Sequence, residues 1–588
     1  MSVVEFVLAF AKIALLLLFF LNMAAIATWA DRRQSAMVQD RVGPNRAVVY
    51  LPNLVGRALA FVPALLLGVV AMVTFFREVS ARVALERMTV ALELSILVGW
   101  FSVMLLCADV RANGPRNAAE ERLVGIAPRS VFYGGLVVHL LVFAATRGLP
   151  HASLVSGARV SGGLLWAVIV TAGFYAAARM PEGKLPLRLA GLLHAAADAV
   201  KLFVKEDFIP KNADRLLHGL APMIALFPAL VTFAVLPFGD KLCFADGGPK
   251  GFDWGDLGRL VPTLARDGAC AGHAVNLQSA DLNVGILYLF AMAGTGVIGA
   301  AIAGWASDNK YALLGGLRAA SQMVSYEVAM GLSLVGLFII TGTVRLGAMV
   351  EWQAENAWGV FVQPLGFVLF LTALAAEGKR VPFDQPEGES EIVAGYFLEY
   401  SGMKFGMFFT GEYIELITSS ALLVVLFFGG HSLPFLHRDG LTVAFGTTVL
   451  YQFKMAHLAV TVLGMLVFFA KTIFVAFVQI FFRWTLPRFR YDQLMKLGWT
   501  KLLPLAIGNL LVTATIVLAL DGASPGVGDT VKVVADVTQA VVALAMLAGA
   551  VALVAGLLEP MQHKNLLRST TARFAAAAGG TRASAQQA

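Results

Sequence analysis

Thirteen long apolar segments, separated by shorter polar ones, constrain this sequence most strongly. An α-helix needs about 20 mostly apolar residues to cross the hydrocarbon core of a bilayer. Only 14% of the residues are charged, against roughly a quarter in soluble domains, which excludes the soluble and disordered classes. The sequence therefore predicts an all-α polytopic membrane protein with about 13 spans. These are expected near 3–28, 59–76, 90–108, 131–146, 162–178, 220–237, 283–304, 328–342, 359–376, 412–429, 457–482, 502–520 and 534–557.

The Lys and Arg residues predict the orientation of these spans. They concentrate after the first span, before the sixth, after the eleventh and in the C-terminal tail. Cytoplasmic loops carry an excess of Lys and Arg, and thirteen spans place all four segments on one side. We expect the N-terminus outside and the C-terminus in the cytoplasm. The formal charge of +7 then reflects topology and does not indicate a nucleic-acid partner.

The cysteines and glycines do not form the usual cofactor motifs. Cys107, Cys243 and Cys270 are scattered and include no CxxC pair. A four-cysteine iron–sulfur cluster or a common structural zinc site needs more ligands. The sequence also has no P-loop and no GxGxxG after a predicted strand. We expect no metal site and no nucleotide chemistry in this chain.

The segment from Glu377 to Glu399 is unusually acidic for a cytoplasmic loop. Pro382, Pro386 and Gly388 prevent one continuous helix, so the sequence predicts a shaped loop between two spans. Neighbouring carboxylates raise each other's pKa values, which suits proton uptake. A solvated acidic loop is the alternative. The acids are Glu377, Asp384, Glu387, Glu389, Glu391 and Glu399, against the bases Lys379 and Arg380.

Further acids fall within predicted spans. Glu327 is expected at the start of the eighth span, and Glu412 and Glu415 at the start of the tenth, where they share a helix face. Ionisable residues inside a membrane suggest a functional site, with a structural hydrogen-bonding role as the alternative. Arg318 is nine residues from Glu327 and lies on the opposite helix face. It therefore cannot neutralise Glu327 within its own helix.

Several polar motifs occur in a fixed order along the chain. They are RVGPNR, KEDFIP, ADLNVG, GWASDNKYALLGGLRAASQMVSYE, PFDQPEGESEIVAGYFLEYSGMKF, GEY and LPRFRYDQLM. Together they resemble the family of H-type membrane subunits of proton-pumping NADH:quinone oxidoreductase, respiratory complex I. The resemblance implies an eight-helix core that forms most of a quinone chamber, begins an acidic proton path, and lies in a bacterial inner membrane.

The resemblance also implies roles for individual residues. Those expected in the proton relay are Glu327, Glu377, Glu412 and Glu391. Those expected at the quinone chamber and its entrance are Asp384, Glu387, Glu389, Arg380, Arg41, Arg46, Lys205, Glu206 and Asp207. The implied substrate is a quinone, either ubiquinone or menaquinone.

The implied partners are the other subunits of such a complex, together with quinone and membrane lipid. They are the quinone-site and terminal iron–sulfur subunits of the hydrophilic arm, and the small A, J and K membrane subunits. FMN and iron–sulfur clusters are expected on partners. One alternative is the anchor subunit of a membrane-bound hydrogenase or formate-hydrogen lyase. Another is a stand-alone secondary transporter, although the sequence shows no clear internal repeat.

The sequence departs from the family pattern in several places. An insertion contributes four predicted spans, and an extra helix follows the usual C-terminal end. His194–Ala195 replaces the usual Gln-Pro, Asp31 replaces a Glu, and Glu415 is an acid that the pattern does not require. The predicted divisions are 1–50 (first helix and quinone-entrance loop), 51–186 (insertion), 187–520 (core of the quinone and proton-path subunit) and 521–588 (extra helix and tail).

Overall fold

The described part of the chain covers most of the predicted core. The computed structural model describes residues 3–39, 44, 49–51, 185–187, 192–244, 273–438, 440–445, 448–454, 457–521, 533, 536–546 and 548–549. The spans predicted within 59–178 lie outside these residues, as do Arg41 and Arg46.

Two compact units make up the chain. One comprises Met1–Pro44 and His194–Leu547, and the other comprises Asn45–Leu193 and Ala548–Ala588. In the second unit, strand β1 (Val49–Leu51) pairs antiparallel with β2 (Leu185–Leu187).

Helices dominate the first unit. They are α1 (Val3–Val38), α2 (Leu193–Val204), α3 (Arg215–Thr232), α4 (Gly285–Ala306), α5 (Lys310–Thr341), α6 (Leu346–Glu355), α7 (Gly359–Val362), α8 (Pro364–Glu377), α9 (Glu389–Ile392), α10 (Gly402–Phe427), α11 (His457–Thr485), α12 (Tyr491–Leu497), α13 (Leu503–Asp521) and α14 (Asp536–Met546). Seven helices in the described residues are long and apolar enough to cross a membrane. The polytopic class is confirmed, and the count of thirteen spans stays a prediction.

Two helices begin well before the predicted spans. Helix α5 begins at Lys310 and α10 at Gly402, whereas the apolar windows begin near 328 and 412. The early turns of α5 contain polar residues that are buried by contact with the chain. Gln322, for example, donates to the carbonyls of Ala376 and Phe383 at 2.6 and 2.8 Å. The predicted positions of Glu327, Glu412 and Glu415 at helix starts were therefore wrong, because all three lie well inside their helices.

The predicted span at 359–376 is interrupted. Helix α7 ends at Val362 and α8 begins at Pro364, because proline lacks the N–H that would continue the hydrogen-bond ladder. Gln363 lies at the break and is buried. Its amide donates to Thr513 at 2.7 Å and accepts from Asn509 at 3.0 Å. The broken helix is thereby anchored to α13.

Short strands follow two of the spanning helices. β3 (Leu242–Phe244) pairs antiparallel with β4 (His273–Val275), and Cys243 is disulfide-bonded. These strands lie on either side of residues 245–272, which fall outside the described residues. β5 (Leu436–His437), β6 (Gly440–Phe445) and β7 (Thr448–Lys454) form an antiparallel sheet before α11.

Glycine permits the closest approach between the bundle and the acidic segment. A Cβ atom at Gly315 of α5 would lie 2.5 Å from the backbone nitrogen of Tyr396. At Gly299 of α4, it would lie 2.7 Å from the backbone nitrogen of Ala225 in α3. These contacts pack α3, α4 and α5 together and bring the loop after α8 directly onto α5.

Candidate functional site

The loop between α8 and α10, residues 378–401, folds into successive turns. Gly388 and Gly395 adopt left-handed conformations, with φ of +38° and +62°. A Cβ atom at Gly395 would collide with the Pro386 carbonyl oxygen. Only the short helix α9 and one 3₁₀ turn interrupt the turns. The prediction that Pro and Gly prevent a continuous helix is confirmed.

Asp384 is buried in this loop and forms an ion pair. The side chain of Arg488, beyond α11, donates to its carboxylate at 2.5 Å. Burial raises the pKa of Asp384 to about 6, although Arg488 and Arg483 act to lower it. Asp384 can therefore change its charge near neutral pH.

Glu387 and Glu412 connect the loop to α10. Their carboxyl groups interact directly, and burial together with the charge of Glu412 raises the pKa of Glu387 well above its ordinary value. The Tyr396 hydroxyl donates to Glu412 at 2.9 Å. Burial and Glu412 likewise raise the pKa of Tyr396. An acid of the loop is therefore in direct contact with an acid of the spanning helix.

Beyond Glu412, further acids continue the series among the helices. Glu415 lies one turn along α10 from Glu412, and its charge interacts with that of Glu377 at the end of α8. Glu377 interacts in turn with Glu327 of α5. The Glu327 carboxylate packs against α4, where a Cβ atom at Gly294 would lie 3.0 Å from Oε1. The acids thus follow one another from the loop into the bundle.

A cavity of about 60 Å³ lies beside these acids. Its polar lining includes Glu377, Lys379, Glu415, Thr418 and Ser419. One water needs roughly 10–15 Å³ of such volume, so there is room for about four. Water there can connect carboxyl groups that do not touch.

Asp31, near the C-terminal end of α1, is a buried acceptor that the sequence did not indicate as a site residue. It accepts from the Tyr413 hydroxyl at 2.8 Å, from Arg483 at 2.6 Å and from the Trp484 indole at 2.7 Å. Arg380 lies 3.9 Å from the same carboxylate and 3.8 Å from the Tyr413 ring centroid. Two arginines and two aromatic residues thus surround one carboxylate.

Arg380 is itself buried and only partly satisfied. Its Nε and Nη1 atoms make no hydrogen bond with the described residues. Burial acts to lower the pKa of Arg380, but neighbouring acids, including Glu412 and Asp31, keep it above its ordinary value. A permanent cation with free N–H groups suits a polar group that binds beside it.

Glu391, a predicted relay residue, lies apart from this series of acids. The carboxylate of Glu391 pairs with Arg318 at 2.7 Å and is 42% exposed. Arg318 thus pairs with the loop and not with Glu327. The backbone of Glu389 begins α9, and its side chain lies outside the described residues.

The predicted entrance residues occupy an exposed segment. Lys205, Glu206 and Asp207 are all exposed, and Asp207 pairs with Lys404 at 2.8 Å. The Ser401 hydroxyl donates to the Glu206 carbonyl at 3.0 Å and accepts from the Phe208 N–H at 2.8 Å. This segment is therefore attached to the start of α10, while Arg41 and Arg46 lie outside the described residues.

The residues that sequence reasoning missed are partners of the acids. Tyr396, Tyr413 and Lys379 lie within or beside the quoted motifs, so the motifs could have indicated them as candidates. Their roles depend on contacts between helices that are distant in sequence. We call the acids of this site the acid cluster: Asp31, Glu327, Glu377, Asp384, Glu387, Glu412 and Glu415.

The fold and the acid cluster define a class of protein: a polytopic helical membrane protein in which buried and half-buried acids lead from loop 378–401 into the helix bundle. A family model described as NADH dehydrogenase matches residues 163–514. The chain belongs to this family.

Curated relatives agree with this assignment. An NADH-quinone oxidoreductase H subunit from Cytophaga hutchinsonii is 42% identical over 328 residues, covering 56% of this chain and 84% of that protein. An H subunit from Geobacter metallireducens is 44% identical over the same length and the same shares of both chains. The H subunit from Syntrophotalea carbinolica is 44% identical over 324 residues, covering 55% and 82%.

Proposed function

We propose that this chain is the membrane subunit of an NADH:quinone oxidoreductase that forms the quinone chamber and couples quinone reduction to proton translocation. One observation carries the proposal. In the loop, Asp384 interacts with Glu387. Glu387 in turn interacts with Glu412, which belongs to the acids of the bundle. Relatives that share 42–44% identity are named for quinone reduction.

The geometry supports different roles for the loop acids and the helix acids of the acid cluster. Electrons would arrive from an iron–sulfur cluster on a hydrophilic-arm partner, and the reduced quinone would take up protons beside the loop. Asp384 and Glu387 respond to that change because burial holds their pKa values high. Glu412, Glu377 and Glu327 would pass the response on, towards the small membrane subunits.

The test separates the chamber from the relay in the assembled complex. Glu389→Gln should lower quinone reduction itself. Glu327→Gln and Glu412→Gln should lower coupled activity while leaving the KM for quinone nearly unchanged. Quinone reduction and proton release are measured together. Full proton stoichiometry with Glu327 and Glu412 both neutralised would exclude the relay and leave these residues as structural acids.

The orientation is part of the same proposal. Loop 378–401 and the C-terminal tail should both face the cytoplasm, with the N-terminus outside a bacterial inner membrane. The disulfide at Cys243 supports this, because disulfides persist in the periplasm and are rare in the cytosol. Labelling of single introduced cysteines checks it. A loop and tail on opposite membrane faces would contradict it.

The insertion at 51–186 is proposed to have a peripheral role, in packing or partner contact. Its predicted polar segments, 77–89 and 109–130, carry balanced charges and no dense acidic group. Replacing residues 59–178 with a short linker should leave quinone reduction in the assembled complex. Loss of that activity, with assembly intact, would show that the insertion belongs to the site.

A further inference from the structure

Lys379 is a buried cation in the midst of the acid cluster. It follows directly after α8 and is only 6% exposed. Its φ is +54°, a conformation that residues other than glycine seldom adopt and that clusters at functional sites. The Nζ atom lies 3.6 Å from Oε2 of Glu415. The backbone thus holds the ammonium group where α8 and α10 meet.

Carboxylates face Lys379 from more than one helix. Its charge interacts with Glu415 and Glu412 of α10 and with Glu377 of α8. Glu327 of α5 acts on the same group through Glu377. The neighbouring cation, Arg380, faces Tyr413 and Asp31. Lys379 is therefore the cation closest to the acids of α8 and α10.

The ion pair also borders the cavity. Lys379 and Glu415 both line it, together with Thr418. The Thr418 hydroxyl is buried and makes no hydrogen bond with the described residues. Water in the cavity would satisfy that hydroxyl, since buried water usually bonds to otherwise unpaired polar groups. The pair therefore lies where hydrated and buried parts of the acid series meet.

We propose that Lys379 is a positioning residue of the relay that keeps Glu415 ionised as the proton acceptor between Glu412 and Glu377. This inference rests on the function proposed above and adds to it the residue that sets the charge at the cavity. A nearby opposite charge favours the ionised form of a carboxylate.

Removing the ammonium group has a definite direction. Without it, the carboxyl groups of Glu415 and Glu377 face each other with less compensation, so more of them are protonated at neutral pH. A relay whose acceptor is already protonated cannot take another proton. Coupled activity should therefore fall at neutral pH and recover as the pH rises. A purely structural lysine would not move the pH profile.

The experiment is a double-mutant cycle in the assembled complex. Lys379→Met and Glu415→Gln are each expected to lower coupled quinone reduction about tenfold at pH 7. If Lys379 acts through Glu415, the double variant loses about tenfold and not a hundredfold, because coupled residues are not additive. Only Lys379→Met should shift the pH optimum upward, and Lys379→Arg should retain most activity because it keeps the charge. Multiplicative losses, or an unshifted pH optimum, would overturn the inference.

Controls separate this inference from the proposed function. As a control, Lys241→Met removes a lysine that follows the C-terminal end of α3 and pairs with Glu351 at 2.8 Å. This variant should leave the pH profile unchanged. If Glu327→Gln and Glu412→Gln lose pumping while Lys379→Met pumps normally, only the inference fails. If all three pump normally, the relay itself fails. Should Lys379→Met not assemble, Lys379→Gln is the second neutral variant for the same profile.

Discussion

The two ends of helix α10 differ in how far cations compensate the neighbouring acids. Loop 378–401 precedes α10, and residues 428–438 follow it, about 39 Å away along a 26-residue helix. At the far end, Arg438 donates to Asp240 at 2.6 and 2.8 Å and to Glu351 at 3.2 Å. We call Asp240, Lys241, Glu351 and Arg438 the far-end cluster.

In the far-end cluster, cations compensate the acids closely. Burial acts to raise the pKa of Asp240, but the bonds from Arg438 hold it below its ordinary value. Asp281, on a neighbouring turn, also has a lowered pKa because Arg345 donates to it. In the acid cluster, burial and neighbouring acids instead raise the pKa values of Asp384 and Glu387.

This difference shows how similar residue types acquire different roles. At the far end, the bonds from Arg438 outweigh the effect of burial, so Asp240 stays ionised and acts as a structural tie. Buried acids that outnumber their cations compete for protons and can exchange them. Lys471 of α11 is another tie, since its ammonium donates to the carbonyls of Phe428 and Ser432 at 2.7 Å each. Those carbonyls lie just past the end of α10, where a cation is favourable.

The largest expected effect is on activity, from Glu387→Gln in the acid cluster. The change is nearly isosteric but removes the proton shared with Glu412, so coupled quinone reduction should fall at least about tenfold. Glu351→Gln at the far end is the matched control and should retain activity. Equal activities for the two variants, measured on equal amounts of assembled complex, would remove the distinction between the ends.

The next effect is on stability, from Arg438→Met in the far-end cluster. The change leaves Asp240 without its main donor, and an unsatisfied, partly buried charge costs roughly 1–3 kcal/mol. The melting temperature of the detergent-extracted complex should fall, while the folded fraction keeps its quinone reduction. Lost activity at unchanged stability would mean that this end also takes part in turnover.

A smaller effect is expected in the pH profile, from Asp384→Asn. The pKa of Asp384 is about 6, so its carboxylate holds Arg488 above that pH and releases it below. Quinone reduction by the wild type should decline as the pH falls through 6. The variant should not show this decline on the acid side of the pH–activity profile. Asp281→Asn is the control, since the pKa of Asp281 is lowered and it does not titrate there. An identical acid limb in wild type and Asp384→Asn would contradict the assignment.

Asp384 also affects the stability of the protein, and this effect has the opposite pH dependence to its effect on activity. Its folded-state pKa lies above the ordinary value of 3.8, so folding favours the protonated form. Its stabilising contribution is complete below that value and is lost as the pH rises through 6. Asp384→Asn should therefore be no less stable than wild type at pH 8, as thermal melting can check.

The smallest effect is expected from Lys241→Met. Its pair with Glu351 spans 2.8 Å, but both side chains are more than a third exposed. Exposed ion pairs contribute roughly 0–1 kcal/mol, and Arg438 still contacts Glu351. The melting temperature should change little. A loss as large as that of Arg438→Met would show that the far-end cluster depends on its exposed members.

Part of the site was predictable from local pattern. Pro382, Pro386 and Gly388 predicted the shaped loop because they restrict the backbone wherever they occur. The acids at 384, 387 and 412 were indicated by their density and by their position near apolar segments. The position of Glu412 within α10 was not, because Lys404 and the glycines at 402, 406 and 411 lower the hydropathy of the first turns of the helix.

The sequence alone determined the membrane class, the order of the motifs and the acids of the loop, since apolar length and residue chemistry act locally. Only the tertiary structure decided which charges meet. Asp31 joins Arg483, which lies 452 positions away, and Lys379 pairs with Glu415 of α10. Glu391 pairs with Arg318 at the surface while Glu387, four positions earlier, is half-buried and interacts with Glu412. Burial and the identity of the nearest charge control proton affinity, and both arise only when the helices pack.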